Sequence, residues 1–286
     1  MVIKGLLKRH ILLYIRDRWA IFFSFLSVLI ILGLFMIFLR NSFGGDFGDL
    51  EHSEYLIHTW IFSGVLMVST VTVPLGFLAV MVQDLELKII NDFYVAPIKR
   101  KSIVASYFLA AVIVGTVFSL FNLLIGQVYI GLKFGFFLEP LTILRLIGLI
   151  IFSSMLFSAL FFYITSYIKT SNAHGTLGTL VGTLIGFLAG LYVPIGVLGQ
   201  TLRNILSSLP TMQMASLFRI VYMEESLNKT FVGIDAFREN MESFLGVSLE
   251  FSGNTVSPIT TFIILSLWIV GLLLLSVRRL NTFKRH

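Results

Sequence analysis

Residues 59–101 read TWIFSGVLMVSTVTVPLGFLAVMVQDLELKIINDFYVAPIKRK. The first part, Thr59–Val82, carries no charge over a length that crosses about 30 Å of hydrocarbon when helical. The second part, Asp84–Lys101, is too polar to enter a bilayer and too apolar to be a free loop. A further apolar run opens at Ile103. Apolar run, charged island and apolar run predict two membrane helices joined by a surface segment. Pro74 lies inside the first helix and predicts a kink, with a freed carbonyl that a neighbour or water must satisfy.

The whole chain repeats this pattern. Of its 286 residues, 57% are hydrophobic and 13% charged, with a mean hydropathy of +0.93. A soluble domain carries about 25% charged residues, so the composition is that of a protein whose solvent on most faces is lipid. With no cysteine, disulfides, thiolate metal sites and a cysteine nucleophile are excluded. The net charge of +6 would suggest nucleic acid in a soluble protein. Here no nucleic acid is expected, and the distribution of charge matters more than its sum.

Outward from the opening stretch, six uncharged runs emerge, at about 19–39, 59–82, 103–130, 146–168, 175–197 and 259–277. The expected fold is an all-α polytopic membrane protein with a 19–286 six-span domain. Residues 1–18 (MVIKGLLKRHILLYIRDR) place Ile3, Leu6, Leu7 and Tyr14 on one helical face, with Lys4, Lys8 and Arg16 elsewhere. They predict an amphipathic helix along the membrane surface; the alternative is a basic flank that only fixes topology. No cleavable leader is expected, because the first run exceeds a signal core and lacks a small-residue exit. Arg145 lies at the edge of the fourth run and is expected to snorkel to the interface.

The fifth run contains Gly178, Gly182, Gly186 and Gly190 at four-residue spacing, beside Thr179 and Thr183. Such a ridge lets another helix approach until backbones touch, whether from the same chain or a second copy. Pro194 is expected to close that span. Between Gly199 and Met223, two short half-apolar pieces broken at Pro210 cannot span alone. They are expected either to dip into the outer leaflet or to lie on it. The external segment, 198–258, becomes acidic after Glu224.

Six runs put both termini on one side. That side then holds Lys4, Lys8, Arg9, Arg16, Arg18, Lys88, Lys99, Arg100, Lys101, Lys169, Arg278, Arg279, Lys284 and Arg285, the larger share of the 21 basic residues. The positive-inside rule makes it cytoplasmic and places the chain in the cell membrane.

Several chemistries have no equipment here. The sequence contains no phosphate loop, no H-E-x-x-H and no G-x-S-x-G. No Asp, Glu or His falls within the six runs, where a proton- or sodium-driven carrier or an intramembrane hydrolase would hold its working groups. No catalytic or metal site is expected. The five histidines are scattered among loops and tails. If the protein transports, its energy arrives from outside the membrane.

The island at 84–101 carries the family signal. Asp84, Glu86 and Lys88 stand at its start. Phe93 and Tyr94 precede Ala96-Pro97-Ile98-Lys99-Arg100, and Ile103 opens the next span. This resembles the cytoplasmic loop between spans two and three of type-2 ABC exporter permeases. Many members have a glycine soon after the acids; this chain has Lys88-Ile89-Ile90. The resemblance implies six spans, an N-terminal interfacial helix, a cytoplasmic coupling helix and external re-entrant helices before span six, around Pro194 and Pro210. It implies cytoplasmic ATPase subunits as partners, carrying ATP and Mg, with no cofactor on this chain. It also implies a second permease copy or a related permease, surrounded by membrane lipid. Asp84, Glu86, Lys88, Phe93, Tyr94, Pro97 and Arg100 are then the ATPase-coupling residues, with Phe93 and Tyr94 as anchors. The function implied is export of a drug, peptide, toxin or lipid-like molecule. A membrane-embedded lipid-modifying enzyme and an ion-coupled carrier are the alternatives.

Overall fold

The computed structural model describes residues 2–19, 21, 22, 33, 50–251 and 254–282. Almost all of the first expected span, 19–39, lies outside the described residues. Among the described residues four helices are long and apolar enough to cross a membrane: Ser53–Glu86, Arg100–Phe134, Pro140–Thr165 and Pro258–Ser276.

The first of these is the hub. It comprises α2 (Ser53–Phe77) and α3 (Ala79–Glu86), joined by a turn at Leu78. Every residue from Thr59 to Val71 is buried, because the sequence is apolar all round and a helix of that kind needs protein on every side. The neighbours that supply it are α5 (Arg100–Phe134), α6 (Pro140–Thr165), α7 (Ser171–Leu188) and α9 (Pro210–Tyr222). Pro74 is accommodated within α2, and the break falls at Leu78, whose amide bonds back to both Pro74 O and Leu75 O. His174 of α7 places Nε2 3.0 Å from Leu75 O, so a neighbouring helix satisfies a carbonyl at the break.

Glycines set the closest approaches to α2. A Cβ on Gly115 would lie 2.6 Å from Pro74 Cγ, and one on Gly126 would lie 2.8 Å from the Phe62 ring. Hydroxyl and amide pairs join the same helices. Thr70 and Ser153 lie 2.7 Å apart, Asn122 donates to Ser69 at 2.8 Å, and Gln127 donates to the Tyr222 hydroxyl at 3.0 Å. Inside a membrane bundle such bonds contribute about 0.6 kcal/mol each, so they fix register more than they supply stability.

Two ends of the bundle can be told apart. At one end α1 (Val2–Arg16) packs on α5 through Leu6, His10 and Tyr14, spaced four apart. The same end holds α4 (Ile89–Val95), the start of α7 and the end of α12 (Pro258–Thr282). At the other end lie α8 (Gln200–Ser208), α9, α10 (Glu224–Thr230) and α11 (Asp235–Leu245). There Lys133 at the end of α5 meets Glu54 at the start of α2, and Arg145 near the start of α6 meets Glu224.

Three expectations change. The helix of the fifth run covers Ser171–Leu188 and stops well short of Val197. Gly190, at φ +60°, ends it: the Gly190 amide bonds to Phe187 O and the Leu191 amide to Gly186 O. This is the paired pattern by which a left-handed residue closes a helix. Pro194 therefore follows the helix end, ahead of a 3-10 turn at Ile195–Val197. An all-α chain was expected, yet β1 (Leu249–Phe251) and β2 (Asn254–Val256) form an antiparallel hairpin, with Glu250 opposite Thr255. Finally, α9 is no surface helix. Pro210 starts it at the first helical position, where a missing amide costs nothing, and nearly all its side chains are buried against α2, α6 and α12.

Gly115→Ala should lower thermal stability in detergent by about 1–3 kcal/mol, because the added methyl meets a rigid proline ring. Gly182→Ala, where a Cβ meets no atom within 4 Å, should leave the unfolding temperature unchanged or slightly raised.

Candidate functional site

The α1 end gathers most of the chemistry of the 84–101 island. Asp84 lies near the end of α3 and is 3% exposed. A carboxylate in that position requires partners, and the bundle provides two. Arg9 of α1 donates Nη1 and Nη2 to its two oxygens at 2.6 and 2.8 Å, and the Tyr107 hydroxyl of α5 donates to Oδ2 at 2.5 Å. The planar fork of the guanidinium matches both oxygens, which fixes direction as well as distance.

His10 completes the cluster. Its ring stacks on Tyr107 at 3.9 Å between centroids. Nδ1 lies 3.2 Å from Arg9 Nη1 and Nε2 lies 3.1 Å from Ser106 Oγ. Arginine can only donate, so Nδ1 accepts and the proton of the neutral ring sits on Nε2. Ser106 Oγ takes that proton and donates its own to Ile103 O. Burial first, and then the adjacent Arg9, push the imidazole down to about 4.

Glu86 is committed as well. It accepts from the Ser171 backbone amide at 2.9 Å and from the Ser171 hydroxyl. Ser171 is the first residue of α7, so the carboxylate serves a free amide at a helix N-terminus. The island is therefore tied to α1 and α5 through Asp84, and to α7 through Glu86. Both acids were expected to face a partner. Asp84 is instead enclosed by its own chain, and Glu86 stays exposed while bonded to Ser171.

The remaining island residues divide by exposure. Lys88 adopts φ +60° and turns the chain into α4. Phe93 is half-buried and lies under the Arg9 guanidinium, 5.1 Å from ring centroid to Cζ. The Tyr94 side chain lies outside the described residues. Leu87 is 69% and Val95 89% exposed, and Pro97 and Arg100 lie on the surface beside them. Exposed apolar side chains thus stand beside a base held by one ion pair and by the Ser171 bonds to Glu86.

The glycine ridge is not one surface. Gly178 and Gly182 would place a Cβ in open space, whereas Gly186 packs against Tyr192 of its own chain. Gly190 is the helix-closing residue described above. Leu180, Leu184 and Phe187 are also exposed on α7.

At the other end sits a residue of the second half-apolar piece, one that sequence reasoning did not single out. Arg219, on α9, is fully buried. Nη2 donates to Ala189 O and Gly190 O at 2.8 Å each, and Nη1 donates to Gly246 O at 3.3 Å. The guanidinium lies over Trp60, with Cζ 5.4 Å from the ring centroid. Gly246, at φ +70°, ends α11 with the same paired amides that Gly190 uses, from Gly246 to Ser243 O and from Val247 to Glu242 O. One guanidinium therefore supplies the donors for carbonyls at two glycine turns.

The sequence held a trace of both networks. Leu6, His10 and Tyr14 share a face by spacing, and Arg219 is the lone charge in the otherwise uncharged stretch Pro210–Tyr222. Nothing in the sequence pairs Arg9 with Asp84, Tyr107 with Asp84, or Ser171 with Glu86.

The ABC-2 type transporter family model matches residues 1–223. The chain belongs to that family, and it is a multi-pass membrane protein with a transport role. Permeases of this family work with ATPase partners. No curated protein matches the chain.

Two predictions follow from these networks. Because His10 in the folded protein sits below the ordinary 6.5, the unfolded chain binds more protons as pH falls. The contribution of His10 is present above about pH 6.5 and is lost as the pH falls toward 4. Corrected for the intrinsic pH dependence of amide exchange, protection in α1 should fall across that window, and less so in His10→Gln. Separately, Arg219→Leu should cost about 3 kcal/mol, since buried acceptors lose their donors. Limited proteolysis should then open the chain near 189–194 and 246–248 before the bundle itself.

Proposed function

We propose that the chain is the membrane subunit of an ATP-driven exporter in the cell membrane, with both termini and the 84–101 segment in the cytoplasm. A separate ATPase, carrying the ATP and Mg, docks on the apolar edge made by Leu87, Val95 and Pro97. Arg100 and Lys88 set the register of that contact, and Tyr94 adds to its grip. Phe93 works from beneath, as the ring that joins α4 to Arg9.

One observation carries this reading. The island turns Asp84 inward to α1 and α5 and ties Glu86 to the start of α7, while Leu87 and Val95 stand exposed. A push on the outer edge is delivered to three helices through charge-assisted hydrogen bonds, which yield less than apolar contacts do when displaced. Pro74 and the turn at Leu78 place a joint in the hub just beyond that base.

The open side of α7 that carries Gly178 and Gly182 receives a second copy or a related permease. The cargo is amphipathic or apolar, a drug, peptide, toxin or lipid-like molecule, because the spans carry Phe, Leu, Ile, Ser and Thr rather than charge. This chain itself is no enzyme in that scheme.

Replacing Val95 with Glu in the full chain should reduce co-purification of the ATPase at least about tenfold, as loss of a central apolar anchor does. Membrane insertion and unfolding temperature should stay unchanged, because the side chain is almost fully exposed. Unchanged recovery of the ATPase with Val95→Glu and Leu87→Glu combined would remove this edge as the docking surface.

A further inference from the structure

A lateral groove opens at the α9 end of the bundle, where α6, α9 and α12 diverge. It encloses about 560 Å³, within the range of ligand sites. Leu149, Phe152 and Met155 of α6, Leu217 and Val221 of α9, and Phe262 of α12 form its walls. Phe152 and Phe262 stack at 4.3 Å between centroids where α6 and α12 meet.

Arg145 is the one polar side chain in that lining. It lies in the second turn of α6, and its neighbours Leu141 and Leu144 are exposed, as is Ile259 across the groove. This flank therefore faces hydrocarbon in a bilayer, with the guanidinium near the membrane surface. One nitrogen, Nη1, donates to Glu224 at 3.2 Å across a pair that is half-exposed on both sides. A guanidinium has five N–H donors, so several remain for a ligand. One turn on, Gly148 leaves open space where a Cβ would stand, which keeps the groove wide beneath the charge.

Water does not fill such a site. Its walls offer no partners for hydrogen bonds, and the surrounding solvent is acyl chain. The rim, by contrast, offers a cation suited to bidentate recognition of a phosphate.

We propose that the groove holds an acyl chain of an anionic phospholipid, whose phosphate is bound by Arg145 at the rim. The lipid belongs to the leaflet in which the α9 end lies. It joins α6, α9 and α12 on the side of the bundle opposite to α2. The proposal requires only that the bundle lies in a bilayer; it does not depend on the transport direction, the cargo or the ATPase contact.

The test uses the full chain in phosphatidylcholine nanodiscs doped with photoreactive phosphatidylglycerol or photoreactive phosphatidylcholine, each carrying a diazirine in the acyl chain. Labelled peptides are read by mass spectrometry. Phosphatidylglycerol should label 149–155 and 258–262 about tenfold more than phosphatidylcholine, because both carry the phosphate but the choline adds a cation that the guanidinium repels. Arg145→Gln should remove that preference and Arg145→Lys should restore part of it. Gly148→Phe should reduce labelling by both lipids. Equal labelling by the two lipids, insensitive to Arg145→Gln, would overturn the proposal. So would labelling of 149–155 and 258–262 that stays at the wild-type level in Gly148→Phe with the protein still folded by its unfolding temperature. Should Gly148→Phe not fold, the Gln and Lys variants at 145 decide the matter.

Discussion

A carboxylate at the foot of a buried helix sets the terms for one end of this protein. Asp84 lies near the end of the hub helix, enclosed almost completely, and a buried charge without partners would not persist there. Arg9 and Tyr107 answer it from two other helices. Helix α1 is thereby bound to the bundle by a directed ion pair, in addition to its apolar face. Its orientation follows from the pair, since the two guanidinium nitrogens and two carboxylate oxygens meet in one plane. His10 remains neutral beside Arg9, a tautomer that the Ser106 bond completes. Without Asp84, Leu6 and Tyr14 would still pack, but α1 could slide along α5.

The opposite end is organised by the reverse arrangement, a buried cation whose nitrogens donate to three carbonyl oxygens and to the Met212 sulfur. Arg219 reaches the last turn of α7 and the last turn of α11 together. Helix ends leave carbonyls without partners, and here two of them converge on one side chain. The same residue stacks over Trp60 of the hub, whose indole donates to Leu245 O. The cap formed by α8–α11 and the hairpin is thus attached to α2 through hydrogen bonds and aromatic contact. Each end of the hub carries a buried charged fastening, and among the described residues the contacts between them are apolar side chains, glycines and uncharged hydrogen bonds.

That division bears on how movement could pass through the bundle. The polar island is joined to α1, α5 and α7 by its acids, and its apolar edge remains outside. The hub carries a proline and a break at Leu78 immediately above the island. The middle of the bundle, where Thr70 meets Ser153 and Asn122 meets Ser69, holds register through weak bonds that can be exchanged. Stiff ends and an adjustable middle suit a protein that must be moved from one end.

Much of this was legible in the residues. Among the described residues, the second, third, fourth and sixth charge-free runs fall on helices long and apolar enough to cross a membrane, since only an uninterrupted helix satisfies its backbone in hydrocarbon. The polar island between the second and third runs, with its Pro-Ile-basic turn, was enough to point to the family. Spacing alone placed Leu6 and Tyr14 on one face of α1. The course of the chain near Gly190 was not legible. A glycine at four-residue spacing reads the same whether it packs against a helix or ends its own, and only the backbone at φ +60° separates the two. Nor could the sequence say that Asp84 and Glu86 are met by other helices of the same chain, because their partners stand 75, 23 and 85 residues away and no local rule links them. Local chemistry determined which segments are helical and which side chains are unwelcome in lipid. The tertiary structure decided which of those polar groups meet, because a buried charge selects its partner by position in space and carries no mark of it along the chain.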